Sequence, residues 1–343
     1  MAEVNDPKEI FRIVLKLSDS TPDKADLLAN CGAGFLLRSF HDNNQKKDVD
    51  NCILAYESAI HLTQGHSHMS GRMNMLQVGL SYNHSFYLTG ELSDISKAIL
   101  YQQKAIHLTP EGHADMPGQL NDLGMSLQSR FEHTGDLADI SNAISYQHKA
   151  IHLTPEGHAD MHRWMNDLGN SFLRRFQNNG DLADISDAIS YQQKAVHLTP
   201  EDHEDMPSRQ EILLISPMLY HISRKQLISH LRAMQTCIDM NSLGNSFLCR
   251  FQCNGDIGDI SNAISYQQRA VHLTPEGYAD MPGQLNNLGT SFQSCFEHTG
   301  GLADISNAII AISCQQKVVH FTPEGHANMS SCMNNLGNSF TNP

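Results

Sequence analysis

One phrase, histidine-leucine-threonine-proline or a near variant, returns along this chain with its histidine at His61, His107, His152, His197, His272 and His320. A degenerate copy, Lys16-Leu17-Ser18, precedes them. From Lys16 onward the steps are 45, 46, 45, 45, 75 and 48 residues. A 45-residue unit therefore carries additions of about one, thirty and three residues. A second marker keeps pace at Phe40, Phe86, Phe131, Phe176, Phe251 and Phe296. Repeats of this length build solenoids, because one unit cannot bury its apolar face except against its neighbours.

The unit from His162 to Met206 shows what each copy folds into. Trp164, Leu168, Phe172, Leu173 and Phe176 recur at steps that put them on one helical face. Gly180 follows as a left-handed terminator. Asp181 and Asp184 then stand at the start of a second helix, where carboxylates cap free amides and meet the positive end of the dipole. Ile185, Ala188, Ile189, Ala195 and Val196 share one face of that helix. Thr199-Pro200 ends it, since the residue before proline is pushed out of helical geometry. The unit is a helical hairpin without a strand.

These residues carry a family resemblance. Leu168-Gly169, Phe172, Ala188, Ala195 and Pro200 resemble the tetratricopeptide pattern of a small residue after leucine, an aromatic three on, two spaced alanines and a closing proline. The set returns as Leu123, Gly124, Leu127, Ala143, Ala150 and Pro155, and as Leu243, Gly244, Phe247, Ala263, Ala270 and Pro275. The unit is longer than the usual 34 or so residues, with additions around NNGDLAD and EGHADMP. It is similar to long repeats of fungal tetratricopeptide proteins and, more distantly, to kinesin light chain repeats. The resemblance implies an all-α, right-handed superhelical solenoid of antiparallel helix pairs.

Residues 1–206 read as an orphan helix (near Pro7 to Leu17) and four helix pairs. Residues 207–239 read as a non-repeat insertion, in which Leu219, Ile222, Leu227, Leu231, Met234 and Ile238 have helical spacing. Residues 240–343 continue the array with two pairs and a terminal half unit. An accidental insertion, such as translated intron, explains 207–239 better than a docking helix. Beginning and ending mid-unit, with Phe340-Thr341-Asn342-Pro343 unlike a polar cap, implies a fragment of a longer array. Uncapped ends imply self-association.

Composition narrows the function. Thirty-seven acids against 23 bases leave a charge of −14 with no basic patch, so nucleic acid is not an expected partner. No stretch approaches the roughly 20 apolar residues that span a bilayer. Cys31, Cys52, Cys237, Cys249, Cys253, Cys295, Cys314 and Cys332 form no CxxC pair, which suits reduced thiols in a cytoplasmic protein. The acidic start, MAEVNDPKEI, is not a signal peptide. Twenty histidines invite thoughts of metal, but pairs such as His107/His113 and His152/His158 recur because the unit was duplicated. A histidine near a helix C-terminus is favourable with the dipole. No cysteine tracks the pattern, and no cofactor is expected. P-loop, nucleophile-elbow and HExxH motifs are absent.

Asparagine supplies the candidate site. Aligned by the Leu-Gly marker, the position two before its leucine is Asn30, Asn121, Asn166, Asn241, Asn286 and Asn334, with Leu76 in the second unit. Asn170, Asn245 and Asn338 follow one helical turn on. In the family resembled, the first helix of each unit lines a concave groove and these positions face it. An amide both donates and accepts, so a ladder of them can grip an extended peptide. The competing reading is that these amides bond a neighbouring helix. The function expected is a non-catalytic scaffold for an extended peptide or partner helix. The alternative is a regulatory arm of a caspase-like (CHAT) peptidase, or of another effector, whose catalytic domain is absent from this chain.

Overall fold

Four of the described units become two helices joined by one glycine turn. In the first helix the chain stops at Gly90, Gly135, Gly180 or Gly255, each with φ near 70°. Each of these glycines donates its N–H to the carbonyl of the marker phenylalanine, Phe86, Phe131, Phe176 or Phe251, at 2.7 Å. Only glycine adopts that left-handed geometry without a steric penalty. The next helix is capped at once: Asp136, Asp181 and Asp256 accept the N–H of Ala138, Ala183 and Gly258 at 2.9, 3.0 and 2.8 Å. It ends at Thr109, Thr154 or Thr274, whose backbones are extended as the following proline requires.

The computed structural model describes residues 7–21, 23–41, 46–63, 68–198, 224–274 and 281–299, with positions 312, 313 and 316. Among the described residues there are twelve helices and no strand. They are α1 (Pro7–Leu15), α2 (Lys24–His41), α3 (Lys46–Thr63), α4 (His68–Thr89), α5 (Leu92–Leu108), α6 (Met116–Thr134), α7 (Leu137–Leu153), α8 (Met161–Asn179), α9 (Leu182–Leu198), α10 (Arg224–Asn254), α11 (Ile257–Leu273) and α12 (Met281–Thr299). The fold is an all-α solenoid built from consecutive helix pairs. It divides into two compact units, Met1–Pro155 and Glu156–Pro343.

In the first unit α1 packs on α2, with Phe11 edge-on to Phe35 at 5.4 Å. The pairs α2/α3, α4/α5 and α6/α7 follow. Their joints are specific. Tyr82 and Tyr101 both donate to Glu57 of the preceding pair, at 2.9 and 3.0 Å. Burial and that carboxylate push the Tyr101 phenol up to about 12. In the second unit α8/α9 and α10/α11 pair, and α12 packs on α11.

The core stripe is the one that periodicity implies: Trp164, Leu168, Phe172, Leu173 and Phe176 of α8 are buried, as are Ile185, Ala188, Ile189 and Ala195 of α9. Val196 is half-buried. The helix α10 runs unbroken from Arg224 through Asp239 and Met240, so the segment before the repeat joins its first helix without a turn. Positions 207–223, most of the segment that carries the three-residue addition near Cys314, and the terminal half unit lie outside the described residues.

Candidate functional site

A face of first helices can recognise a ligand only if the second helices hold them in register, and three recurring devices do so. The first is a clamp. Arg38, Arg130, Arg175 and Arg250, near the ends of first helices, each make paired hydrogen bonds to Asp48, Asp139, Asp184 and Asp259 on the next helix, at 2.6 to 2.9 Å. The carboxylates are buried. The Arg250 hydrogen bonds hold the Asp259 carboxyl below its usual range. These arginines are therefore engaged internally. In the α4/α5 pair Ser85 replaces the arginine and donates to Asp94 at 2.7 Å.

The second device is a stack. Phe172 lies on Tyr191 at 5.9 Å with planes 6° apart, and Phe247 on Tyr266 at 6.0 Å and 3°. Arg175 and Arg250 cover the outer faces of the two phenylalanines, and Lys194 covers Tyr191. Cation and ring quadrupole attract in this geometry.

The third was not anticipated from sequence. A glutamine of four second helices, Gln102, Gln147, Gln192 or Gln267, is buried beneath a first helix, and Tyr56 takes that place in α3. A Cβ added to Gly124, Gly169 or Gly244 would lie 2.6 Å from the Cγ of Gln147, Gln192 or Gln267. Glycine is required there by close approach, and its partner is this glutamine as well as the alanine backbone. The signal was present: Gln147 falls four after Ala143 and three before Ala150, on the buried stripe.

The asparagines divide into classes. Asn121 and Asn166 are 0% and 1% exposed. Their side chains lie inside the helix stack, out of a ligand's reach. Asn30 is exposed on α2, and Asn286 is half-buried on α12. Asn170 and Asn245 are half-buried, and each accepts a hydrogen bond at 2.9 Å from the buried glutamine of its own pair, Gln192 and Gln267. Asn241, also half-buried, accepts from Asn287 of α12 at 3.3 Å. Successive first helices are also linked by Gln177 of α8, which donates to Cys249 Sγ of α10 at 3.7 Å. Asn334 and Asn338 lie outside the described residues. In the first unit Leu80 and Met125 occupy the register of Asn170 and Asn245.

The other candidates resolve into local chemistry. His113 and His158 accept the backbone N–H of Asp115 and Asp160 at 3.2 Å through Nδ1, closing the loop between pairs. His158 also stacks on Trp164 at 5.2 Å. Burial raises the Cys249 thiol, the reverse of what an activated thiolate needs. No helix among the described residues is long and apolar enough to cross a membrane.

No family model matches the chain, and no curated protein does. Solved structures do. The crystal structure of BtubC (BKLC) from P. vanneervenii is similar at 15% identity and a TM-score of 0.50, over 78% of this chain and 87% of that one. The S. pombe nuclear import adaptor Nro1 is similar at 12% identity and a TM-score of 0.42, over 96% and 99%. At these identities the likeness concerns the fold alone. The chain is a helical-repeat protein.

Proposed function

We propose that this protein is a non-catalytic scaffold for protein–protein interaction, holding an extended peptide against its first helices. One observation carries the reading. The half-buried amides Asn170, Asn241 and Asn245 stand on the adjacent first helices α8 and α10, whose partner helices hold them by clamp and stack. Rigid, evenly placed polar groups suit a ligand that is itself repetitive, such as a peptide backbone. The amides buried at Asn121 and Asn166 serve packing in this reading, and Asn170, Asn241 and Asn245 form the ladder.

The test is direct. The full chain is panned against a random 12-residue phage-displayed library, and the best peptide is synthesised. Hydrogen exchange followed by mass spectrometry is then measured with and without it. Protection within Met161–Asn179 and Arg224–Asn254 is expected. Protection confined to α9 and α11 would overturn the assignment of the face.

A further inference from the structure

The amide ladder of the second unit is polarised. We infer that the buried glutamines turn Asn170 and Asn245 so that only N–H donors face outward. The ligand is then an extended peptide recognised through its main-chain carbonyl oxygens. This inference rests on the peptide-scaffold reading and adds to it the chemistry of the site.

Gln192 and Gln267 are wholly buried, and their Oε1 atoms have no partner among the described residues. Turning either amide around would seal an NH2 group, with two protons and no acceptor, where one oxygen now lies. Orphaned N–H groups are the rarer and costlier case, so the observed orientation is the favoured one. Each glutamine Nε2 then points at its asparagine and donates to Oδ1 at 2.9 Å. The close approach of Gly169 and Gly244, with room for no Cβ, keeps the glutamine stems in place.

An amide whose oxygen is engaged inward presents its NH2 on the other side. The Nδ2 groups of Asn170 and Asn245 have no partner among the described residues. Asn241 follows the same rule by a different contact, since its oxygen accepts from Asn287. One turn beyond Asn170 stands Arg174, exposed and incapable of accepting. Asn241 and Asn245, four apart on α10, place their Cβ atoms about 5–6 Å from each other. Alternate carbonyls of an extended strand are about 6.6 Å apart and point the same way. One strand can therefore meet both.

The first unit lacks the device. Gln147 is 0% exposed, neither of its amide atoms has a partner among the described residues, and Met125 stands where an asparagine would receive it. Gln102 faces Leu80's register in the same condition.

The experiment uses the peptide selected above and the intact chain. Each backbone amide of the peptide is replaced in turn by an ester, which keeps a carbonyl and loses the N–H. Removing the N–H is expected to change Kd by no more than about twofold along the segment. The double substitution Asn170→Ala, Asn245→Ala is expected to weaken binding about tenfold, the loss of two ordinary hydrogen bonds. Esters that cost as much as that double substitution would show that acceptors are presented, overturning the polarity while leaving the peptide reading intact. A selected peptide indifferent to Asn170→Ala, Asn245→Ala, or a library that yields no binder, would overturn the reading itself.

Discussion

Gly244→Ala and Gly118→Ala are the same chemical change in two first helices, and the structure gives them opposite signs. In an open helix interior, alanine is favoured over glycine by about 1 kcal/mol, because glycine surrenders more backbone entropy on folding. Gly118 has nothing within 4 Å of an added Cβ, so its substitution should stabilise by about 0.5–1 kcal/mol. At Gly244 the new atom would lie 2.6 Å from Gln267 Cγ and 3.1 Å from the Ala263 carbonyl oxygen. The first of these is roughly 0.8 Å inside ordinary contact, which costs repulsion or forces the two helices apart. Overpacking of this kind costs about 1–3 kcal/mol, so the propensity gain is outweighed and a net loss of about 1–2 kcal/mol is expected.

Urea unfolding followed by circular dichroism reads both signs as shifts in the midpoint at constant slope. Gln267→Ala removes the Cγ that the new methyl strikes, so Gly244→Ala should be cheaper in that background by about 1 kcal/mol. The Ala263 carbonyl remains, and some cost with it. If Gly244→Ala proves as stable as the parent chain, or if the two substitutions add without coupling, the glutamine seat is not what holds the helix pair at its present separation.

Three further outcomes are expected. Asp259→Asn breaks a clamp whose carboxylate is buried and whose arginine is part-exposed, and should cost about 1–3 kcal/mol at pH 7. Because Arg250 holds the folded-state carboxyl below its unfolded value, that stability is present above the unfolded pKa and lost as pH falls through the folded one. An Asp259→Asn penalty unchanged at pH 2 would contradict the charge-based account. Met125→Asn gives the buried Gln147 the acceptor that Asn170 gives Gln192, and should be more stable than Met125→Ala by about 1 kcal/mol; thermal melts ranking them the other way would refute it. Light scattering should rise near pH 5.7, the isoelectric point of the sequence, where net charge no longer keeps copies apart, and a flat titration there would count against it.

The period, the hairpin and its ends were legible because they are local. A glycine that must take positive φ at Gly180, an aspartate at Asp181 whose oxygen meets an N–H two residues on, and a proline that forbids helix after Thr199 act within a few residues of themselves. The apolar stripes were equally readable, since a helix presents every third or fourth residue to one side whatever it packs on.

What the chain alone could not decide is where each polar residue of a first helix comes to lie, because that depends on a second helix tens of residues away. Asn166 and Asn170 are one turn apart and alike in sequence, yet one is buried and the other half-buried against Gln192. Asp181 and Asp184 both read as residues of a helix start. The first is a cap, and the second is the buried half of a clamp, because Arg175 comes back over it. Length and spacing determined that this protein is a stack of helical hairpins. Only the packing of one helix on the next decided which amides are spent inside and which remain part-exposed, since a hydrogen bond is satisfied by position in space and not by order along the chain.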